Sequence, residues 1–355
     1  MPISRRKFIV ASASAPFLSS CATDLSQYSD ESILSLSRRL GVWAASYVTF
    51  DAGKPSADVV LSGCSSARPV HAVPIFQAAS LTKPVIAFVA LKLVQNGKLD
   101  LNAPVSRYLP HGYIHRQNSL DNTRPALVDL VPATILARIP IGTLLNHSSG
   151  LPNWTSGALA PEFVPGERWQ YSGEGYVLLQ AVITAVTSQD IESCVSTYVF
   201  HPLGMRHSRL RRTADIRQQL VEGVVWLGIG RQLDFIEPNA AASLYTTAGD
   251  YAKLISALLA DNNLLSLTVA NPVLTEPKLG LTWGYGWGIE TASGGPYLWH
   301  WGNNPGFRSF AMMSLSSKNG FVLFTNSERG MPLAASLARS VIPGEHEVFR
   351  FYMLG

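Results

Sequence analysis

A helix-forming segment with almost no polar face limits the folds that are open to this chain. Residues 78–93 read AASLTKPVIAFVALKL, and most side chains after Lys83 are apolar. A helix that is apolar nearly all round is buried, so other layers of the protein must pack on several of its sides. Two polar side chains, Ser80 and Lys83, stand one helical turn apart at its start.

Strand-forming segments near both ends of the chain can supply those layers. Residues 29–40 predict a helix, and residues 41–63 predict two strands around an Asp-Ala-Gly-Lys-Pro turn. Strands return at residues 297–326, where Asn319-Gly320 between two apolar runs indicates a hairpin, and a further helix follows.

The middle of the chain is predicted to be mainly helical, because helical patterns dominate from residue 80 to about residue 235. Strands at both ends with helices between them predict an α+β fold, with a sheet layer built from the two termini and an inserted helical domain. The predicted domains are an export signal at residues 1–20, an α/β domain at residues 21–85 and 240–355, and a mainly helical domain at residues 86–239.

Composition and charge favour a globular protein without affinity for nucleic acid. The 355 residues are 47% hydrophobic and 15% charged, enough for one large core or two interleaved cores. Arg5, Arg6 and Lys7 lie in the first 20 residues, which contain no acidic residue, so the remaining 25 basic residues nearly balance the 24 acidic ones. No basic field is left for nucleic acid, and the basic run at residues 206–212 predicts a solvated face.

The N-terminal segment resembles an export signal. Arg5-Arg6 precedes an apolar run that is too short to span a bilayer, and Leu18-Ser19-Ser20-Cys21 resembles a bacterial lipobox. This resemblance implies twin-arginine export and a periplasmic or extracytoplasmic protein that is attached to a membrane by a lipid on Cys21. An ordinary cleaved signal with an incidental cysteine is the alternative. A disulfide between Cys64 and Cys194 is possible but not required.

The pair Ser80 and Lys83 can carry chemistry, although the motif alone is weak. At positions i and i+3 of a helix, an amine can take the hydroxyl proton when it is neutral, or hydrogen-bond the oxygen when it is charged. The same Ser-x-x-Lys spacing occurs at Ser4 and Lys7 inside the export signal. The context of Ser80 is better, because a position at or near a helix N-terminus favours developing negative charge. A capping serine with a snorkelling lysine is the alternative.

Two later segments add candidate functional residues. Tyr171 follows a Pro-Gly turn, and its phenol can act as a base only if a nearby cation such as Lys83 lowers its pKa. In LWHWGNNPGFR (298–308), His300, Trp301 and Gly302 are candidates to border a pocket, and the amide of Asn303 is a candidate oxyanion donor. Taken singly, a buried tyrosine and a strand histidine are the simpler interpretations.

Together and in this order, Ser80-Leu81-Thr82-Lys83, Tyr171-Ser172-Gly173 and His300-Trp301-Gly302 resemble the three motifs of the serine β-lactamase and penicillin-binding-protein superfamily, in its class C-like, esterase-type branch. The resemblance covers roughly residues 30–340 and implies an antiparallel sheet flanked by helices. Supporting segments are LLNHSSGLPNW (144–154), VPGERWQYSGEGY (164–176), HPLGM (201–205), TTAGDYAKLISALL (246–259) and GYGWGIE (284–290).

The resemblance also implies roles for these residues. Ser80 is the expected nucleophile of an acyl-enzyme, and Lys83 and Tyr171 are expected to move its proton, with the choice of base left open. The backbone N–H groups of Ser80 and Asn303 are expected to form the oxyanion hole.

The expected partners of the chain follow from the same resemblance. A small-molecule or peptidoglycan-like acyl substrate, a monomer, and no metal or organic cofactor are expected. His111 and His115 are predicted to lie in a loop without an obvious third metal ligand.

Two departures from the family pattern bear on the substrate. Gly173 stands where the family has the asparagine of Tyr-x-Asn, so the side-chain amide that contacts acyl-amide groups is missing. His300 stands where lysine is usual, and a largely neutral histidine attracts a substrate carboxylate less. Both favour an esterase or a specialised amidase, with Trp154, Trp299 and Trp301 as candidate pocket walls for an apolar group. A lipoprotein that binds or senses such compounds without turnover is the alternative.

Overall fold

The computed structural model describes residues 24–62, 70–120, 127–225 and 232–354. The expected export signal, Cys21 and Cys64 lie outside these residues. Cys194 is a buried, free thiol. In the part of the chain that the structure describes, no helix combines the length and the apolar character that a membrane crossing requires.

Helices of very different length occur along the described chain. The longest two are α2 and α5, and the candidate site residues Ser80 and Tyr171 each lie two positions before the start of one of them. The helices are α1 (Ile33–Leu40), α2 (Thr82–Gln95), α3 (Ala133–Leu136), α4 (Ile141–Leu145), α5 (Gly173–Thr187), α6 (Ile191–Val195), α7 (Ala248–Ala260), α8 (Asn262–Thr268) and α9 (Pro332–Val341).

Strands from both ends of the chain form one antiparallel sheet in the order β2-β1-β13-β12-β11-β10-β9-β8, with β3 also paired to β1. Two smaller ribbons pair β4 with β7 and β5 with β6. The strands are β1 (Ala44–Asp51), β2 (Lys54–Pro55), β3 (Val59–Ser62), β4 (Phe76–Ala79), β5 (Tyr113–Arg116), β6 (Val128–Val131), β7 (Leu244–Thr246), β8 (Val273–Glu276), β9 (Leu281–Trp283), β10 (Gly288–Ala292), β11 (Gly295–Asn304), β12 (Phe307–Ser314) and β13 (Gly320–Thr325).

The large sheet separates two cores. Side chains alternate across each strand, so Leu323 of β13 faces the core under α1 and α9, whereas Phe324 faces the core that contains α2 and α7. Helix α2 is buried along almost its whole length, with Phe88 only 6% exposed, as its apolar sequence predicts.

The hairpin of β12 and β13 forms, but its turn is not the Asn319-Gly320 pair that the sequence indicates. Residues 315–319 connect the strands, and Gly320 already belongs to β13. Lys318 takes the left-handed conformation with φ +59°, and the Ser314 N–H donates to the Asn319 carbonyl (2.8 Å). The Asn319 side chain instead accepts from the Ala52 N–H (2.9 Å), because the neighbouring β1–β2 turn packs against this loop.

The ribbon of β5 and β6 interrupts the helical middle of the chain, which the sequence pattern did not indicate. His115 pairs with Asp129 in this ribbon and is fully buried. The prediction that His115 lies in a loop was therefore wrong. The local sequence did not predict these strands, because Ile114, Val128 and Leu130 are apolar but exposed. They therefore break the usual pattern of buried apolar and exposed polar residues along a strand.

Candidate active site

Ser80 lies in the tight turn that joins β4 to α2. Ala79 before it has φ +50°, a strained conformation for a non-glycine residue. The helix begins at Thr82, two residues after the predicted nucleophile, and the Thr82 Oγ1 donates to the Ala79 carbonyl (2.6 Å). Ser80 is partly exposed while Ala79 and Leu81 are buried. The turn therefore presents one hydroxyl at the surface of an otherwise closed segment.

Lys83 projects from the first turn of α2 back toward that hydroxyl. Its side chain is fully buried, and Nζ donates to Ser80 Oγ (3.2 Å) and to the Ala241 carbonyl (2.8 Å). Burial lowers the pKa of Lys83 well below its ordinary value, because the interior disfavours the ammonium form. A neutral amine at this distance can take the proton of Ser80.

Tyr171 is the third predicted residue, and the structure brings it to the same place. Its ring centroid lies 4.7 Å from Lys83 Nζ, so the amine faces the ring rather than the phenol oxygen. Burial raises the pKa of Tyr171, and the neighbouring Ser80 hydroxyl opposes this rise. The two hydroxyls do not meet in hydrogen-bond geometry, and the Tyr171 oxygen has no hydrogen-bond partner among the described residues. The expected lowering of this pKa by Lys83 is not found, because desolvation dominates, so the phenol is placed to donate a proton.

His300 on β11 faces the same cluster and is neutral. Its side chain is fully buried, and Nδ1–H donates to the Trp301 carbonyl (2.8 Å). Burial, followed by the nearby Lys83, lowers the pKa of His300 to about 3. Nε2 therefore carries a buried lone pair, for which the described residues offer no donor in hydrogen-bond geometry. A neutral imidazole at this place provides no positive charge for a substrate carboxylate.

Gly302 brings β11 against the turn that holds Ser80. A Cβ atom on Gly302 would clash with the Ala78 carbonyl and lie 3.0 Å from Ala79 Cβ. The glycine thus allows close approach of two segments of the chain. Asn303 is the next residue of β11 and is exposed.

Trp299 and Trp301 do not wall an open pocket. They are 0% and 3% exposed and pack in the aromatic core around Trp283 and Phe351. They fill the face of β11 opposite His300, because side chains alternate along a strand. The prediction that these two tryptophans line a substrate pocket was therefore wrong, whereas Trp154 is only half-buried.

His147 belongs to this cluster and was missed as a functional residue. Its ring lies 4.4 Å from the Tyr171 ring, and its Nδ1 accepts from the Ser172 N–H (3.1 Å). Burial, then Lys83 and His300, lowers the pKa of His147 well below its ordinary value. Its proton is on Nε2, whereas that of His300 is on Nδ1. The sequence signal was its place in the segment LLNHSSGLPNW, which was used only as support for the family resemblance.

Glu174 is more than an acidic residue in the first turn of α5. Its side chain is fully buried, with Oε1 accepting from the Thr155 N–H (3.2 Å) and Oε2 lying 3.3 Å from His115 Nε2. The other ring nitrogen of His115, Nδ1, lies 2.8 Å from Asp129 Oδ1. Over the described ranges, no group of three or more His, Cys, Asp or Glu side chains is arranged to hold a metal ion.

A protein-family model described as Beta-lactamase matches residues 38–343. Esterase EstB of Burkholderia gladioli is 28% identical over 286 residues, which cover 64% of this chain and 69% of that protein. The putative penicillin-binding protein PbpX of Bacillus subtilis is 27% identical over 73% of this chain, and penicillin-binding protein 4* of the same species is 23% identical over 79%. The chain spans 63% and 66% of these two proteins, which is less than two thirds of either.

Solved structures with the same architecture confirm the predicted fold class. The octameric penicillin-binding protein homologue from Pyrococcus abyssi superposes with a TM-score of 0.72 at 19% identity, over 92% of this chain and 78% of that one. A class C beta-lactamase superposes with a TM-score of 0.71 at 17% identity, over 91% of this chain and 98% of that one. At such low identities the likeness concerns the fold alone.

Proposed function

The chain belongs to the beta-lactamase family, and on this premise we propose that it is a serine hydrolase whose Ser80 forms an acyl-enzyme. The observation that carries the proposal is the 3.2 Å contact between Ser80 Oγ and the fully buried Nζ of Lys83. As Oγ attacks the carbonyl carbon of the substrate, the neutral amine of Lys83 takes its proton. Lys83 is therefore assigned as the base.

The remaining residues complete the reaction. The Tyr171 phenol gives a proton to the leaving group and regains one from the Lys83 ammonium. The backbone N–H groups of Ser80 and Asn303 stabilise the oxyanion, an effect worth about 10²- to 10³-fold in rate when one donor is lost. Water then attacks the acyl-enzyme and gives a proton to Lys83. As the bond between the acyl carbon and Ser80 Oγ breaks, Lys83 returns this proton to Oγ, which releases the acid product and restores both residues.

The substrate class that this site favours is a carboxylic ester. His300 is neutral and buried, so it cannot bind the carboxylate that β-lactams and D-Ala-D-Ala peptides carry. Gly173 provides no side-chain amide for an acyl-amide group. Both absences weaken binding of lactams and peptides more than binding of simple esters, which need neither contact.

Kinetics on a substrate panel test this proposal. We expect steady turnover of a p-nitrophenyl ester, with slower turnover of a chromogenic cephalosporin and of a D-Ala-D-Ala peptide. Ser80→Ala should abolish turnover, whereas Ser293→Ala, which changes an exposed serine between β10 and β11, should not. Intact mass that reveals a stable adduct on Ser80 without turnover would instead favour the binding or sensing lipoprotein.

We also propose that the protein reaches the outside of the cytoplasmic membrane by twin-arginine export and carries a lipid on Cys21. The proposal is supported by the sequence of residues 1–21. Cys21→Ala should move the protein from the detergent phase to the aqueous phase in a partition assay, and an unchanged distribution would contradict lipidation.

A further inference from the structure

Gly173 lies close to the reacting groups. Only Ser172, which is extended with φ −134° and ψ 112°, separates it from Tyr171, so the Cα atoms of residues 171 and 173 are at most about 7 Å apart. The Tyr171 ring lies beside Lys83 and Ser80. The space beside Gly173 therefore borders the candidate site.

The Trp154 indole occupies the space where a side chain of residue 173 would begin. A Cβ atom on Gly173 would lie 2.6 Å from Cη2 and Cζ2 of the Trp154 indole and 2.6 Å from the Asn153 carbonyl oxygen. Real Cβ atoms do not approach other atoms so closely, so no larger residue fits at position 173 while the indole is in place. Trp154 is half-buried, with part of its ring packed on the core and part left open.

The residues on both sides of Trp154 are hydrogen-bonded to the start of α5. The Gly173 N–H donates to the Asn153 carbonyl and to Asn153 Oδ1, each at 3.0 Å, and the Glu174 N–H donates to the same carbonyl (3.0 Å). On the other side, the Thr155 N–H donates to the buried carboxylate of Glu174 (3.2 Å). Trp154 stands between these two fixed residues, so its backbone cannot turn it away from the site without breaking several hydrogen bonds.

We propose that Trp154 is the specificity-determining wall of the acyl site and selects short acyl chains that carry no amide. This inference rests on the proposed function and names its substrate class. An indole presents an apolar surface, so an acyl group with an amide next to the reacting carbonyl loses hydrogen bonds to water and gains none. The ring also limits the length of acyl chain that fits beside Ser80.

Selectivity between acyl groups tests the proposal. The probes are p-nitrophenyl acetate, p-nitrophenyl octanoate and the p-nitrophenyl ester of N-acetylglycine, with folding of each variant checked by circular dichroism. Trp154→Ala should raise kcat/KM for the octanoate and for the N-acetylglycine ester, each relative to the acetate, by at least about tenfold. Trp154→Phe should shift both ratios in the same direction by less, and it keeps the test available if the alanine variant folds poorly. Trp43→Ala, which removes another partly buried tryptophan, should keep the wild-type ratios.

A second readout separates this inference from the proposed function. Alkyl phosphonate esters of short and long chain label an active serine without turnover, and intact mass gives the labelling rate of Ser80. Unchanged ratios in Trp154→Ala, for turnover and for labelling, would overturn the role of Trp154 alone. A wild-type protein that neither turns over the esters nor is labelled would overturn the proposed function and this inference with it.

Discussion

Replacement of Lys83 by methionine tests whether the buried amine is neutral in the folded protein. Lys83 is fully buried, and its Nζ contacts only uncharged oxygens in hydrogen bonds, those of Ser80 and Ala241. No carboxylate of the described residues forms an ion pair with it. Burial therefore lowers its pKa in the folded state, whereas in the unfolded chain the amine keeps its ordinary pKa and stays protonated.

The sign and size of the effect on stability follow from this difference in proton binding. Between the folded and the unfolded pKa of Lys83, the unfolded chain holds one more proton, so the free energy of unfolding rises with pH. One proton corresponds to about 1.4 kcal/mol per pH unit, or about 2 kcal/mol from about pH 7.5 to about pH 9. The Lys83→Met variant lacks this pH-dependent contribution to the free energy of unfolding. The stability difference, wild type minus variant, should therefore grow by about 2 kcal/mol across this window.

Urea denaturation of both proteins at several pH values measures this difference. The window lies above the ordinary titration of the histidines, and other groups such as Cys194 affect both proteins equally. Lys92→Met is the matched control, because Lys92 lies on the same helix but forms a partly exposed ion pair with Asp261 (2.6 Å). This control should keep the wild-type slope. Equal slopes for wild type and Lys83→Met would refute a neutral amine, and with it the assignment of Lys83 as base.

Two further predictions concern a buried hydroxyl and a buried ion pair. Tyr171→Phe should lower kcat about 10²- to 10⁴-fold, because it removes the proton donor. It should leave the free energy of unfolding unchanged or higher, because the Tyr171 oxygen has no hydrogen-bond partner in the described structure. A clear loss of stability in urea denaturation would contradict this. His346 donates to Glu290 (2.9 Å) and to the Ile342 carbonyl (2.8 Å), and although burial opposes its charge, Glu290 raises the pKa of His346 overall. His346→Gln should therefore cost about 3 kcal/mol near pH 6, where the ion pair is fully formed, and less as pH rises through the folded pKa. Thermal unfolding at both ends of the pH range measures this, and a pH-independent loss would rule out a charged His346.

The sequence determined the features that depend on local spacing. The separation of three residues keeps Ser80 and Lys83 within one turn of the chain, where the Lys83 N–H donates to the Ser80 carbonyl (2.9 Å), and the apolar residues after them require burial of α2. The α+β fold class followed from strands at the two ends of the chain with helices between them. These features need no knowledge of distant contacts, because backbone geometry and hydrophobic pattern fix them within one segment.

The tertiary structure decided what depends on neighbours that are distant in the chain. Burial lowers the pKa of Lys83 and raises the pKa of Tyr171, and no local pattern records how much water a side chain loses on folding. The same reason explains why Trp301 is in the core, and why Trp154, 19 positions before Gly173, occupies the space beside it. Sequence spacing supplied the reacting groups, whereas long-range packing set their protonation and the shape of the site around them.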